Sequence, residues 1–239
     1  MDELRGLCIV AMVIYHIGYT MEYIYNISFG EMILKYEAPI ALVGPWIFIF
    51  IAGISSMLTK SNLNRGLKLA VIAFLISLIT IIFVPSSAIY FGIIHFFAFA
   101  MIMFHFIKPL LDKINFYVGL ISSLLLFTLT YTIPSGNISF FGNVIFELPL
   151  SLYTTNYLTF LGFVSSGFFS ADYFPIFPYI FMFFAGTFVG RLAIQGKFPD
   201  FLYVQRVKPL SFLGKHSLGI YVAHQPVIVF IFWLITSIF

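Results

Sequence analysis

Charged residues are scarce in this sequence. Asp, Glu, Lys and Arg together make up 9% of the 239 residues, whereas hydrophobic residues make up 61%. A soluble domain of this length usually carries about a quarter charged residues. Because so little charge is available for a water-facing surface, the composition predicts an integral membrane protein surrounded by membrane lipids. The few basic residues lie in short connecting segments rather than in one patch, which speaks against a nucleic-acid partner.

Cysteine is nearly absent, since Cys8 is the only one in the chain. A single thiol excludes an intrachain disulfide framework and a cysteine-rich metal site. A cleavable signal peptide is not expected either, because the first residues are acidic as well as basic and no small-residue cleavage site follows a short apolar run. We expect the first apolar segment to remain in the protein as a membrane anchor.

Seven apolar segments are long enough to cross a bilayer, which takes roughly 20 mostly apolar residues for about 30 Å of hydrocarbon. Helices are predicted at about 4–25, 39–59, 66–84, 88–107, 114–133, 174–194 and 217–238. The stretch 138–172 mixes Asn and Glu with glycines and aromatics, so we predict a loop with an interfacial or re-entrant helix there, and an eighth span is the alternative. The predicted fold is an all-α bundle of about seven transmembrane helices that forms one domain over 1–239.

The basic residues decide the predicted orientation, because Lys and Arg concentrate in cytoplasmic loops. With a cytoplasmic N-terminus, eleven of the twelve Lys and Arg residues fall on the cytoplasmic side, and Lys35 is the exception. An eighth span within 138–172 would move the five basic residues from Arg191 onward to the wrong side. Seven spans, with the C-terminus outside, are therefore favoured.

Polar residues form a stripe along the first predicted helix. At 100° per residue, Arg5 and His16 point within roughly 20° of one another, and Asp2 and Tyr23 point within about 40° of His16. The helical rise puts His16 about 17 Å above Arg5, a little past the bilayer midplane. Ionisable residues at this depth usually face a cavity or pathway. His16 is therefore a candidate catalytic residue with Asp2 in support, although a helix-packing role for His16 and an ordinary Asp2–Arg5 pair are the alternatives.

Two further histidines lie inside predicted spans. His95 is expected about seven residues from the outer end of the fourth span, and His224 about 12 Å above the cytoplasmic end of the last. Pro226 would open the backbone near His224 and Gln225, which is tolerated beside a cavity. The face that carries His224 also carries two hydroxyl residues, Ser217 and Tyr221. All three histidines are thus predicted at similar depth, within about 10 Å, where a neutral imidazole can act as a general base.

A metal site is the competing interpretation of these histidines, since imidazole binds zinc. No pair of them has i,i+4 spacing, and no carboxylate lies at their predicted depth. We therefore expect no metal. A water-accessible cavity in which one histidine takes a proton is favoured, with another histidine orienting the substrate or stabilising an oxyanion.

The remaining candidates lie near the predicted ends of the spans or beside the histidines. The candidates for substrate binding are Tyr23, Trp46, Asp172, Tyr173 and Gln225. Of these, Asp172 could instead cap the sixth helix, and Trp46 could be an interface anchor. The basic residues that could hold the phosphates of an anionic donor, or serve only as topology signals, are Arg5, Arg65, Arg191 and Lys215.

Five stretches resemble a known family when they are read together. They are DELRG followed by His16, PWIFIFIAGIS, FGIIHFFAFAM, ADYFPIFPYIFMFFAGTFVGR and LGKHSLGIYVAHQPV. These motifs are similar to those of a bacterial membrane family related to the lysosomal heparan-α-glucosaminide N-acetyltransferase. The first and last motifs also resemble those of the family-3 membrane acyltransferases, which modify surface glycans. The resemblance covers nearly all of the chain except 108–165.

The resemblance implies a transferase of the bacterial plasma membrane that moves an acetyl or other acyl group from cytoplasmic acyl-CoA to a sugar or glycan outside. It matches His16 to the catalytic histidine of the family-3 enzymes, and Asp2 and Arg5 to the acid and arginine of their opening motif. Thr20 stands where bacterial relatives often carry an acid, and the lysosomal enzyme has asparagine in place of His16. The lysosomal mechanism and acceptor therefore do not carry over residue by residue. A homodimer is a further expectation.

Two other functions remain open on the sequence alone. A proton-coupled transporter or permease would also place histidines inside the membrane, although the internal repeat of many transporters is not visible. A non-catalytic partner of a glycan-assembly complex would use the histidines only for packing. Acetyl-CoA consumption that depends on His16 would favour the transferase over both.

Overall fold

The computed structural model describes residues 1–199, 202 and 204–238. Within these residues, seven helices are long and apolar enough to cross a membrane, which confirms the predicted number. They are α1 (Asp2–Tyr19, continued by a π-helical turn at Thr20–Ile24), α2 (Phe29–Met57), α3 (Asn62–Phe83), α4 (Ile93–Leu111), α5 (Phe116–Thr130), α6 (Ile176–Ile194) and α8 (Ser217–Ile238). A shorter helix, α7 (Lys208–Lys215), precedes α8. The orientation of the termini stays a prediction.

The chain divides into two compact units. One unit consists of Met1–Ile51 with Lys197–Phe239, and the other of Ala52–Gly196. The boundary between them falls inside α2, so one helix belongs to both units. The single domain over 1–239 also stays a prediction.

In the unit that contains both termini, the start of α1 is fixed against α7. A Cβ at Gly6 would overlap the backbone carbonyl of Leu210, so only glycine permits this close approach. The Glu3 carboxylate accepts hydrogen bonds from the backbone amides of Arg206 and Val207, at 2.5 and 2.6 Å. These contacts hold the first turn of α1 beside the N-terminal end of a helix that carries lysine at both of its ends.

In the unit formed by Ala52–Gly196, α3 packs on α4 and α5 packs on α6. Phe104, Phe183 and Phe188 are almost completely buried, although the surroundings of a membrane protein are themselves apolar. Helices in lipid associate through close packing rather than through the removal of apolar surface from water. Gly119 on α5 illustrates this, because a side chain there would collide with the ring of Phe188.

Two helices begin five or more residues away from their predicted starts. α2 starts at Phe29 rather than near residue 39, because the charged residues Glu31, Lys35 and Glu37 disfavour the hydrocarbon for this part but do not prevent a helix. α4 starts at Ile93 rather than at residue 88, after a 3₁₀ turn and with Gly92 as its N-cap. His95 therefore lies in the first turn of α4 rather than about seven residues inside its helix, and its depth in the bilayer stays a prediction.

The stretch 138–172, which is described throughout, contains no eighth span and no α-helix; its helical segments are 3₁₀ helices, and their predicted interfacial position stays a prediction. It holds most of an antiparallel hairpin of β1 (Asn137–Phe140) and β2 (Asn143–Glu147). Two short 3₁₀ helices follow at Leu150–Tyr153 and Asn156–Leu161. Glycine, proline and asparagine interrupt the apolar runs at short intervals, so no run is long enough to sustain an α-helix.

Candidate active site

A pair of histidines from α1 and α8 forms the centre of the candidate site. The ring centroids of His16 and His224 are 4.6 Å apart. The Nδ1 atom of His16 and the Nε2 atom of His224 are buried, and neither has a hydrogen-bond partner among the described residues. Buried polar atoms are nearly always hydrogen-bonded. Two free ring nitrogens in one place therefore mark a position where a ligand or a transferred proton can be received.

The hydrogen bond made by Nδ1 of His224 determines that Nε2 is the nitrogen available to a ligand. Nδ1 of His224 lies 2.5 Å from the backbone carbonyl oxygen of Tyr221. A carbonyl only accepts, so Nδ1 carries the hydrogen and Nε2 of the neutral ring presents a lone pair. Tyr221 thus supports the site through its backbone and through its ring, which lies 5.6 Å from the His224 ring. Ser217, the other predicted supporting residue, is the first residue of α8.

Thr20 and Gln225 extend the histidine pair. The Gln225 side-chain amide donates to Thr20 Oγ1 at 3.2 Å, and Thr20 is completely buried. The Oε1 atom of Gln225 is buried without a partner among the described residues, so it can accept a hydrogen bond from a ligand. Sequence reasoning proposed Gln225 as a site residue, whereas it noted Thr20 only as a departure from the acid that bacterial relatives often carry. Its position four residues after His16, on the same helix face, was the available signal.

Tyrosines continue from the histidine pair along α1. The His16 ring lies 5.5 Å from the Tyr15 ring and 6.5 Å from the Tyr19 ring, measured between centroids. Tyr19 in turn lies 4.9 Å from Tyr23, which is 66% exposed. Tyr23 belongs to the π-helical turn, where the 100° step of a regular α-helix does not apply. The angle predicted between Tyr23 and His16 is therefore not valid, and Tyr19 connects them instead.

The start of α1 carries the expected ion pair between Arg5 and Asp2. Arg5 Nε is nevertheless buried and has no partner among the described residues, so the guanidinium keeps an unused donor. Lys215 is exposed at the last position of α7. In this unit, Arg5 and Lys215 are thus cations with capacity to contact an anion.

His95, in the other unit, has partners at both ring nitrogens. Its Nδ1 accepts from the Gly92 amide at 3.2 Å, and its Nε2 lies 2.9 Å from the Ser77 hydroxyl. The Ser77 hydroxyl donates to the carbonyl of Ile89 at 2.6 Å, so His95 Nε2–H is the donor to Ser77. This chain of hydrogen bonds ties the start of α4 to α3. The contacts give His95 a structural role, and its predicted catalytic role is untested.

Asp172 caps α4, whereas the N-cap residue of α6, the helix that the alternative interpretation had Asp172 cap, is Pro175. The Oδ2 atom of Asp172 accepts from the Ile93 amide at 2.9 Å, at the first residue of α4. The Phe174 amide donates to the Phe91 carbonyl at 2.9 Å, and this main-chain pairing brings the segment before α6 to the start of α4. A carboxylate is favourable there because the helix dipole is positive at its N-terminus.

Tyr173, the neighbour of Asp172, also makes a hydrogen bond that stabilises the fold. Its hydroxyl donates to the Thr159 carbonyl at 2.6 Å. Burial raises the pKa of Tyr173 above the ordinary tyrosine value, so the hydroxyl keeps its proton and remains a donor. Binding of a substrate by either residue stays a prediction.

The Arg191 guanidinium lies at the connection between α4 and α5. It donates to the carbonyls of Leu111 and Ile114 at 2.5 and 2.8 Å, and it lies 4.5 Å above the centre of the Phe188 ring. These contacts satisfy carbonyl groups at the C-terminal end of α4 and just after it, where a helix leaves its last acceptors unpaired. Holding two helices is therefore an observed function of Arg191, whereas phosphate binding is a prediction.

Arg65 and Trp46 are the last two of the site residues predicted from the sequence. Arg65 donates to the Thr59 side chain at 2.7 Å, across the turn between α2 and α3. Trp46 is half-buried in α2. Among the described residues, no three His, Cys, Asp or Glu side chains gather in a way that could hold a metal ion.

Seven apolar helices define an integral membrane protein, and two of them bring together a half-buried pair of imidazoles whose buried nitrogens have no partner among the described residues. The chain belongs to the family described as heparan-alpha-glucosaminide N-acetyltransferase, catalytic, whose family model matches residues 1–226. This match confirms the resemblance inferred from the five sequence motifs and makes the protein a member of a membrane acetyltransferase family. No curated protein and no solved structure gives a significant match.

Proposed function

We propose that this protein transfers an acetyl or other acyl group from cytoplasmic acyl-CoA to a hydroxyl or amine of a sugar on the outer side of a bacterial plasma membrane. The observation that carries the proposal is the free Nδ1 of His16 beside the free Nε2 of His224. Membership in an acetyltransferase family supports the acyl chemistry. What we propose beyond the family membership is the identity of the donor, the class of acceptor and the roles of the histidines.

In the direct route, an imidazole nitrogen of the pair takes the proton of the acceptor hydroxyl or amine. The acceptor oxygen or nitrogen attacks the thioester carbonyl carbon, the new C–O or C–N bond forms, and the C–S bond to CoA breaks. The imidazolium returns its proton to the departing thiolate. In the two-step route, His16 attacks the thioester carbonyl carbon and the C–S bond breaks, so CoA leaves as the thiolate. The acceptor then attacks the acyl-imidazole, the bond between the acyl carbon and His16 breaks, and the acceptor's proton passes to the thiolate. Gln225 Oε1 would accept a hydrogen bond from the attacking group in either route.

The two ends of the site would meet different parts of the substrates. Arg5, with its unused Nε donor, and Lys215 are the favoured cations for the CoA phosphates. Arg65 and Arg191 are weaker candidates, because the protein itself occupies donors of both guanidinium groups. The rings of Tyr19 and Tyr23 offer apolar faces on which a sugar could stack.

Acyl transfer is tested with the full chain in lipid nanodiscs, supplied with acetyl-CoA and either glucosamine or N-acetylglucosamine. The first acceptor offers an amine and the second only hydroxyls, so the two separate N- from O-acylation. CoA release is followed with a thiol reagent in a Cys8→Ser background, which removes the only protein thiol.

Replacing His16 with alanine should abolish CoA release that depends on the acceptor. His105→Ala is the matched control, since His105 is an exposed histidine near the end of α4. Undiminished CoA release by His16→Ala would overturn the assignment of His16. Solute or proton movement without acyl-CoA consumption by the wild-type protein would overturn the transferase itself.

A further inference from the structure

The hairpin of β1 and β2 exposes a set of apolar side chains that the protein leaves uncovered. All five residues of β2 are exposed. The exposed fractions are 81% for Phe141, 56% for Val144, 62% for Ile145 and 57% for Phe146. The hairpin begins directly after a candidate span that ends at Ser135, so this surface lies at the end of a membrane-crossing helix. We call these four side chains the hairpin patch.

The composition of the surrounding segment does not fit a loop in water. Residues 131–171 contain ten aromatic residues, whereas Glu147 is their only charged residue. Loops that face water usually carry frequent charged residues beside small polar ones, whereas this segment keeps the small polar residues and has almost no charge. Tyrosine and other aromatic side chains are enriched where protein meets the headgroup region of a bilayer. The segment therefore has the composition of a membrane-interface element.

Phe141 stands at a turn position with positive φ, where other residue types are usually found. The two residues of the turn, Phe141 and Gly142, have φ values of +46° and +84°. Such turns strongly prefer Asn-Gly or Asp-Gly, because a bulky side chain at positive φ is sterically unfavourable. The Phe141 side chain is also 81% exposed, and although its ring lies 4.6 Å from that of the neighbouring Phe140, packing within the protein covers little of it. A contact outside the protein would account for its presence.

The unpaired edge of the hairpin limits how deeply the hairpin can lie in a membrane. β2 pairs with β1 and with no other strand of the described chain, so backbone N–H and C=O groups face outward along its other edge. Unpaired backbone groups are too costly for the hydrocarbon core, but lipid headgroups and interfacial water can bond them. The headgroup boundary is the depth that suits both the apolar side chains and the open edge.

We propose that the hairpin patch inserts into the headgroup–acyl boundary of the bilayer, on the side where α5 ends. The partner is the lipid surface itself, and Phe141 at the turn reaches deepest. The hairpin then anchors the connection between α5 and α6 to the membrane, separately from the histidine pair. This proposal does not depend on the transferase activity.

The test places a fluorophore on the full chain in nanodiscs. In the Cys8→Ser background, an environment-sensitive dye is attached at Phe141→Cys or Ile145→Cys. Lys113→Cys, in the charged turn between α4 and α5, supplies the water-facing control. Each dye is then quenched with aqueous iodide and, separately, with lipids that carry a nitroxide near the headgroup.

Dyes at positions 141 and 145 should show several-fold stronger quenching by the lipid nitroxide, and weaker quenching by iodide, than the dye at position 113. Equal iodide quenching at all three positions would overturn the proposal. Disulfide-linked dimers formed through Ile145→Cys, together with absent lipid quenching, would overturn it in favour of edge pairing between two copies. Since the readout is fluorescence rather than turnover, loss of the transferase activity would not affect it.

Discussion

Two half-buried histidine environments in this protein differ in how their ring nitrogens are used. His95 has protein partners on both nitrogens and connects the first turn of α4 to α3. His16 and His224 lie against one another, and each keeps a buried nitrogen without a partner among the described residues. The same residue type therefore stabilises one unit and remains available for chemistry in the other. Burial alone does not distinguish the two cases, because the hydrogen-bond inventory decides.

Removal of the histidine pair should give the largest effect. His16→Ala and His224→Ala are each expected to lower kcat about 10²–10⁴-fold, the usual contribution of a positioned general base. The double variant should be little worse than either single variant, since groups that act as a unit are strongly non-additive. Acetyl-CoA turnover measured beside thermal stability checks both points. Additive losses, or losses that match the loss of folded protein, would count against a shared catalytic role.

His95→Ala should give the opposite pattern. We expect the free energy of unfolding to fall by about 1–3 kcal/mol, because the Gly92 amide and the Ser77 hydroxyl lose a buried partner. Turnover per folded molecule should stay close to the wild-type value. Denaturation in mixed micelles gives the stability, and Ser77→Ala provides a double-mutant cycle with an expected coupling of about 0.5–3 kcal/mol. A large fall in kcat at unchanged stability would instead support a catalytic role for His95.

Thr20→Val removes the hydrogen bond that holds the Gln225 amide without changing the size of the side chain. We expect kcat/KM to fall about fivefold, since the bond contributes on the order of 1 kcal/mol and Gln225 would lose its fixed orientation. Steady-state kinetics measure the effect, and Thr20→Ser, which keeps the hydroxyl, is the matched control. Equal losses in the valine and serine variants would show that packing, and not the hydrogen bond, matters at this position.

Asp172→Ala should lower the free energy of unfolding by about 0.5–2 kcal/mol, the usual effect of losing a helix cap. Asp172→Asn keeps an acceptor for the Ile93 amide and should lose less. Chemical denaturation of both variants tests the cap at the helix start that also holds His95. An unchanged stability with a raised KM would instead support the predicted contact of Asp172 with the acceptor.

Phe141→Asn should produce the smallest change in stability of the variants considered. It lies outside both histidine environments and serves as a reference for them. Asparagine tolerates positive φ, so the variant should gain about 0.5–1 kcal/mol of stability in detergent. In nanodiscs the gain should be smaller, because the membrane contact proposed for Phe141 is lost. Thermal unfolding in the two media makes the comparison, and an equal gain in both would argue against that contact.

Local sequence properties were sufficient for much of the fold. The number of spans followed from apolar segment length, because the bilayer imposes a minimum length on any helix that crosses it. Helix starts were less accurate, as α4 shows. Its hydropathy continues upstream of Gly92, and only the contacts of His95 and Asp172 with the first amides locate the true start. Hydropathy measures solvent preference and does not record where backbone hydrogen bonds begin.

The sequence by itself determined that this is a membrane protein with seven apolar helices and histidines at identifiable positions along them. It also carried enough motifs to identify the acetyltransferase family, which residues 1–226 confirm. Only the tertiary structure decided that His16 meets His224, that Thr20 meets Gln225 and that His95 is bonded at both nitrogens. The physical reason is that helical periodicity fixes the face of a residue, whereas packing between helices distant in sequence fixes what that face touches.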